Sequence, residues 1–141
     1  MASANKFNAF VEHLAEKVHN LGSDTLKVCL TNTAPSAANS VFADLTEISA
    51  GNGYTAGGTQ STQSSSAQSS GTYKLVLADV TFTASGGSIG PFRYATLYND
   101  TPTSPADPLI LYWDYGTALT LTAGNSFSVD FDGSAGVATL T

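Results

Sequence analysis

The amino-acid sequence predicts a mainly β protein: an antiparallel β-sandwich, Ig-like or jelly-roll-like, with one N-terminal amphipathic α-helix. Three observations carry this. Only one stretch, near the start, repeats its apolar residues with the 3.6-residue period of a helix. Beyond it, runs of period 2 rich in β-branched and aromatic residues alternate with Gly, Pro, Asn and Ser turn signals, making roughly seven to nine strands. One run, 109–115, is almost continuously apolar and aromatic, as suits a strand buried on both faces at the centre of a sheet. The 141 residues are read as a single domain, 1–141, with the helix in 1–22 and the sandwich in 23–141.

The helix rests on Phe7, Phe10, Val11, Leu14, Val18 and Leu21, which share one face while Glu12, His13, Glu16, Lys17 and Asn20 point elsewhere. Asn5 is the expected N-cap and Gly22 the expected stop, giving a helix of about sixteen residues. Its apolar stripe needs cover, either from the chain's own sheet or from a partner subunit. The first strand follows from Leu26, Val28 and Leu30 alternating with Lys27, Cys29 and Thr31, and it ends before Pro35. Residues 41–48 suit a short strand or one helical turn. Within 49–58 the Asn52-Gly53 pair marks a tight loop.

The tract 59–71 (TQSTQSSSAQSSG) has the composition of a linker. Its flanks are anchored by hydrophobic runs, so a polar edge strand or long exposed loop is expected instead. Residues 73–83 and 89–98 read as a central hairpin turned by Ser85-Gly86-Gly87-Ser88. On its second strand Phe92, Tyr94, Thr96 and Tyr98 fall on one face and Arg93, Ala95 and Leu97 on the other. The proline-rich 99–108 is an exposed loop, and in 109–115 Trp113 is a core anchor whose indole N–H needs a partner. A second hairpin is expected from Leu119 and Leu121 through Ala123-Gly124-Asn125 to Phe127, Val129 and Phe131, with a short last strand over 137–140.

Only 11% of residues are charged, against roughly 25% in an average soluble domain. A surface wetted by hydroxyls and amides suits repeated packing against neighbours, because few charges must be desolvated at each contact. The net charge is −6, and the five basic residues, Lys6, Lys17, Lys27, Lys74 and Arg93, are scattered, so no basic footprint for nucleic acid exists. The single cysteine, Cys29, is expected to be a buried inert thiol, and its usage fits cytosolic assembly. No secretory signal is expected in the opening residues, which lack a continuous apolar core. Nor is a membrane span, since the longest apolar runs fall far short of roughly 20 residues. The expectation is a soluble protein.

No catalytic constellation, cofactor or metal site is expected. Asp130-x-Asp132-Gly133 resembles the opening of a calcium loop but lacks the further ligands, and turn chemistry explains it better. His13 and His19 would stand about 120° apart around a continuous helix, both solvated and too far apart to share a metal. There is no G-x-S-x-G elbow and no phosphate-cradling glycine loop opening a helix. Tyr54, Tyr73, Tyr94, Tyr98, Tyr112, Tyr115 and Trp113 mostly fill the core, with a sugar-stacking face as the competing reading.

The runs FVEHLAEKVHNLGSDTLKVCLTNTAPSAAN, LTEISAGNGYTAGG, SIGPFRYATLYND and WDYGTALTLTAGNSFSVDFD resemble a family of small virion structural proteins of tailed bacteriophages. The resemblance spans nearly the whole chain apart from the polar tract 59–71, and it carries no catalytic residues. It implies a non-enzymatic component of the phage virion made in the host cytoplasm, foremost a head decoration (cement) protein bound to the major capsid protein or other virion proteins, and a homo-oligomer. A tail, neck or fibre component binding a host surface glycan is the alternative. On this reading the helix face of Phe7, Phe10, Val11, Leu14 and Val18 is the partner-binding surface. No membrane and no nucleic acid are expected among the partners.

Overall fold

The computed structural model describes residues 2–141 and is an antiparallel β structure with one helix near the N-terminus. Ten strands form three sheets. Strands β1 (Ala4–Lys6), β2 (Leu26–Thr31), β3 (Thr59–Ser61), β7 (Ile89–Asn99) and β8 (Leu109–Leu121) make a five-stranded sheet in the order β1-β8-β7-β2-β3. Strands β4 (Gln63–Ser69), β5 (Thr72–Leu77) and β10 (Ala138–Leu140) form a second sheet in the order β10-β5-β4. Strands β6 (Val80–Thr83) and β9 (Ser126–Val129) pair as a ribbon. The main core holds Leu26, Val28 and Leu30 of the first sheet with Leu75, Leu77, Val80 and Phe82 of the second sheet and the ribbon, a sandwich-like arrangement.

A smaller core of Phe7, Cys29, Tyr98 and Leu109 forms with Phe42, Leu45 and Tyr112 around it. Cys29 has no exposed surface, as expected for an inert thiol, and burial pushes its pKa far up. Residues 41–48 combine both forms the sequence allowed: a 3-10 turn at Phe42–Asp44, closed by Asp44 Oδ2 accepting the Ser40 and Val41 N–H groups, flanked by bridges Val41 to Pro108 and Thr31 to Glu47. No helix among the described residues is long and apolar enough to cross a membrane.

The helix is shorter than expected: α1 covers Asn8–Ala15, eight residues, and Asn5 lies in β1 instead of capping it. Its end is a Schellman turn. Val18 N–H donates to His13 O at 2.8 Å and Lys17 N–H to Leu14 O at 3.3 Å, with Lys17 at φ 68° where glycine is usual. The turn sends Val18, His19 and Leu21 back toward the sheets. The apolar spacing therefore runs past the helix, and Gly22 has no part in stopping it.

Neither predicted hairpin forms as such. Residues 73–83 split at Ala78-Asp79, where Ala78 N–H donates to Thr62 O and Asp79 accepts the Phe131 N–H. β5 then pairs with β4 and β10, β6 pairs with β9, and β7 pairs with β2 and β8. The Gly86-Gly87 turn thus carries the chain from one layer to the other, held by Ser85 N–H to Asn52 O and by Asn52 Nδ2 to Ser88 O, both 2.9 Å. The turn after β8 does the same, since Ala84 and the 124–125 backbone exchange hydrogen bonds across it. Register shifts also divide β7: Phe92 packs in the main core with Ala95 and Leu97, while Tyr98 packs in the smaller one, against the predicted parity.

The tract 59–71 is β3 and the edge strand β4, reversed into β5 through Ser70 (φ 52°) and Gly71 (φ 83°). The 49–58 loop is locked from inside. Buried Tyr54 accepts the Leu30 N–H (3.0 Å) and donates to Glu47 (2.7 Å), whose carboxylate also accepts the Gly57 N–H (2.7 Å). Tyr54→Phe leaves a buried strand N–H without its acceptor and is expected to cost about 1.5 kcal/mol, read as a lower midpoint in urea with an unchanged slope.

Candidate functional site

Two of the concavities on the surface of the described residues bear on function. The first, about 560 Å³, lies where β7 and β8 face β9 and the loop that follows it. Its floor is apolar, with Phe92 and Ala95 from β7 and Phe131 from the loop. Burial along β8 falls away after Leu111, so Trp113 is half-buried and Tyr115 is 53% exposed at the mouth. Each aromatic is braced by another: Trp113 lies 5.5 Å from Phe131, and Tyr115 meets Phe127 edge-on at 5.4 Å and 83°.

The polar residues lining this cleft include Arg93, Asp130 and Asp132. Arg93 and Asp114 form a bidentate pair, Nε to Oδ1 at 2.7 Å and Nη2 to Oδ2 at 2.9 Å, and Asp114 also accepts the Gly116 N–H at 2.8 Å. The pairing raises the Arg93 pKa and holds the Asp114 carboxyl below its usual range. Asp132 accepts the Ser134 and Ala135 N–H groups, both at 2.8 Å, which keeps its carboxyl low as well. Asp130-x-Asp132-Gly133 is accordingly a turn. Among the described residues no group of three or more His, Cys, Asp or Glu side chains is arranged to hold a metal ion.

The second concavity, about 530 Å³, is a groove between the end of α1 and the β10-β5-β4 sheet. Leu14 and Val18 form one side, Tyr73 and Leu140 the other, with Lys17 and Asp24 at its rim. Leu140 is 47% exposed.

Beneath this groove lie the two histidines, close together because the Schellman turn folds the chain back; their ring centroids are 6.0 Å apart. His19 is buried, not solvated, and His13 is half-buried with a buried Nδ1. Both depart from the expectation for a continuous helix. Asn99 Nδ2 donates to His19 Nδ1 at 3.1 Å and to Asp24 Oδ2 at 2.6 Å. Burial, then the neighbouring His13, lower the His19 pKa to about 4, partly opposed by Asp24.

The five side chains expected on a docking face separate. Phe7 and Phe10 are buried within the chain's own cores, because β1 is the edge strand beside β8 and α1 follows it directly; they cannot meet a partner without unfolding. Val11 is 51% exposed, and Leu14 and Val18 are half-buried along the groove. The tyrosines separate too. Tyr54 and Tyr98 are core residues with bonded hydroxyls, Tyr112 borders the smaller core, Tyr73 lines the groove, and Tyr94 and Tyr115 join Trp113 at the aromatic cleft. Sequence reasoning missed Leu140 and Asp130 as walls of these sites. Neither has a local signal, since each reaches its site only through strand pairing distant in sequence.

No protein-family model matches the chain, and no curated protein or solved structure matches it either.

Proposed function

We propose that this chain is a non-enzymatic structural protein of a tailed-phage virion, a decoration (cement) protein that binds the head shell and stabilises it. The observation that carries the reading is the groove of Leu14, Val18, Tyr73 and Leu140: apolar, open and set in a surface with few charges to desolvate. The resemblance of the runs beginning FVEHLAEKVHN and SIGPFRYATLYND to small virion proteins supports the same reading. The docking surface is accordingly Val11, Leu14 and Val18 with Leu140, displaced from the helix face toward the groove. An apolar segment of the major capsid protein is the occupant, and Lys17 and Asp24 at the rim orient it.

The test adds purified protein to shells that lack it and counts copies per particle by quantitative mass spectrometry. Copy numbers matching the shell's symmetry, with shells more resistant to heat, support the proposal. Absence of binding, or a handful of copies at one vertex, moves the protein to the neck, tail or fibre. Val18→Asp and Leu140→Asp change exposed or half-exposed positions, so both variants are expected to fold while shell affinity falls at least about tenfold. Full occupancy by both variants would remove the groove from the mechanism.

A further inference from the structure

The aromatic cleft shares no residue with the groove, and its chemistry points elsewhere. Of the seven tyrosine and tryptophan side chains, Trp113 and Tyr115 share one face of β8 and line the cleft together with Tyr94, while the others serve the cores or the groove. Tyr115 is the more informative, because a tyrosine left half in water would ordinarily be free to rotate. Here its ring is set by Phe127 at 83°, so an aromatic surface stays in place beside the opening. A carboxylate stands at the same mouth. Asp130 is exposed, and neither ion pair of the described residues engages it.

A ligand matching this layout has a flat apolar C–H face to lay on an aromatic ring and an edge of hydroxyls to donate to a carboxylate. A pyranose ring has both. We infer that the cleft between Trp113, Tyr115 and Asp130 is a binding site for a neutral saccharide, the Tyr115 and Trp113 rings stacking on the sugar and Asp130 accepting from its hydroxyls. Charge selects the neutral class. Asp130 and Asp132 both flank the opening and the chain carries a net charge of −6, so sialylated, uronic or phosphorylated sugars are repelled. The volume, about 560 Å³, falls in the roughly 300–1,000 Å³ range of small-ligand sites and takes a di- or trisaccharide. The site stands independently of the shell-docking groove, since the two share no residue.

Trp113 is the only tryptophan, so its fluorescence reports on this cleft alone. The protein is titrated with maltotriose, lactose, diacetylchitobiose and a rhamnose disaccharide, with 3′-sialyllactose as the anionic comparison and hexan-1-ol as an apolar probe. The expected result is a saturable change in Trp113 emission with at least one neutral sugar and weaker binding of sialyllactose than of lactose. Tyr115→Ala and Asp130→Asn each weaken the binding about tenfold, and Tyr115→Phe, which keeps the ring, retains it. Both positions are exposed, so a thermal melt unchanged from wild type shows that the loss is local. Silence from all four neutral sugars overturns the inference. So does a response to hexan-1-ol alone, which marks a pocket for apolar chains, or sugar binding that is unaffected in Tyr115→Ala and Asp130→Asn.

Discussion

Gly58→Ala is expected to destabilise the protein by about 4 kcal/mol or more and to lower the melting temperature by at least about 10 °C, if the variant accumulates at all. Two costs add. Gly58 sits at φ +79°, where an L side chain is strained by about 1 kcal/mol. A methyl group there would also overlap the carbonyl oxygen of Val28 and press on Cys29 Cα. Neither neighbour can yield, because both residues are fully buried and β2 is paired on both sides, Val28 with Thr59 and with Leu97. Relief requires β3 to leave the sheet. That would also pull Gly57 from its two contacts, the N–H given to Glu47 and the carbonyl that accepts the Tyr98 hydroxyl at 2.6 Å. Gly71→Ala is the control: its φ is +83°, but open space surrounds it, so only the strain of about 1 kcal/mol is expected. Equal melting temperatures for the two variants would show that overlap with Val28 contributes nothing.

Why this glycine could be seen only in three dimensions illustrates what the chain states locally and what it does not. The strand at Leu26–Thr31, the polar edge strand within 59–71, the buried Cys29 and the Asn52-Gly53 turn are legible because each follows from a short window: alternation, hydroxyl-rich composition between anchored flanks, or a residue pair that favours positive φ. Pairing partners are not legible that way. Alternating residues around Gly86-Gly87 say that the chain reverses, but the same pattern serves a hairpin and a crossing between layers, and the hydrogen bonds to Asn52 and Asn125 that settle the matter come from distant segments. The apolar period runs past the end of α1 for a related reason. Lys17 adopts the left-handed conformation without being glycine, so no breaker marks the stop, and Val18 and Leu21 continue the period by packing back from a turn. Of the candidate sites, the aromatic residues were identifiable as a class. Their division into core, groove and cleft depended on the register shifts within β7 and on where β8 leaves the core.

Lowering the pH from 7.5 to 4.5 is expected to remove about 2 kcal/mol of stability through His19 alone. In the fold the His19 ring is neutral. The Asn99 amide is oriented by its Oδ1 accepting the Thr101 N–H at 3.1 Å and its Nδ2 donating to Asp24, so it presents a donor to His19 Nδ1, which must accept. The ring proton is then on Nε2, which is buried without a partner. A second proton on Nδ1 would meet the Asn99 amide hydrogens, in a site shared with His13 and covered by the Phe10 ring at 5.3 Å, with only Asp24 favouring the charge. The folded-state pKa therefore lies near 4 against 6.5 for the free side chain, and the unfolded chain binds the proton more readily. Stability from this group is full above pH 6.5 and is lost as pH falls from there toward 4. The unscreened figure is roughly 3 kcal/mol, and partial solvent access brings it to about 2. The carboxylates of Asp44, Asp114 and Asp132, whose folded pKa values are lowered, keep most of their contribution at pH 4.5 because they lose it only below 3.8. Urea denaturation of wild type and His19→Gln at both pH values isolates the effect. Wild type should lose about 2 kcal/mol more than the variant, and parallel losses would mean that His19 titrates in the fold as it does in water.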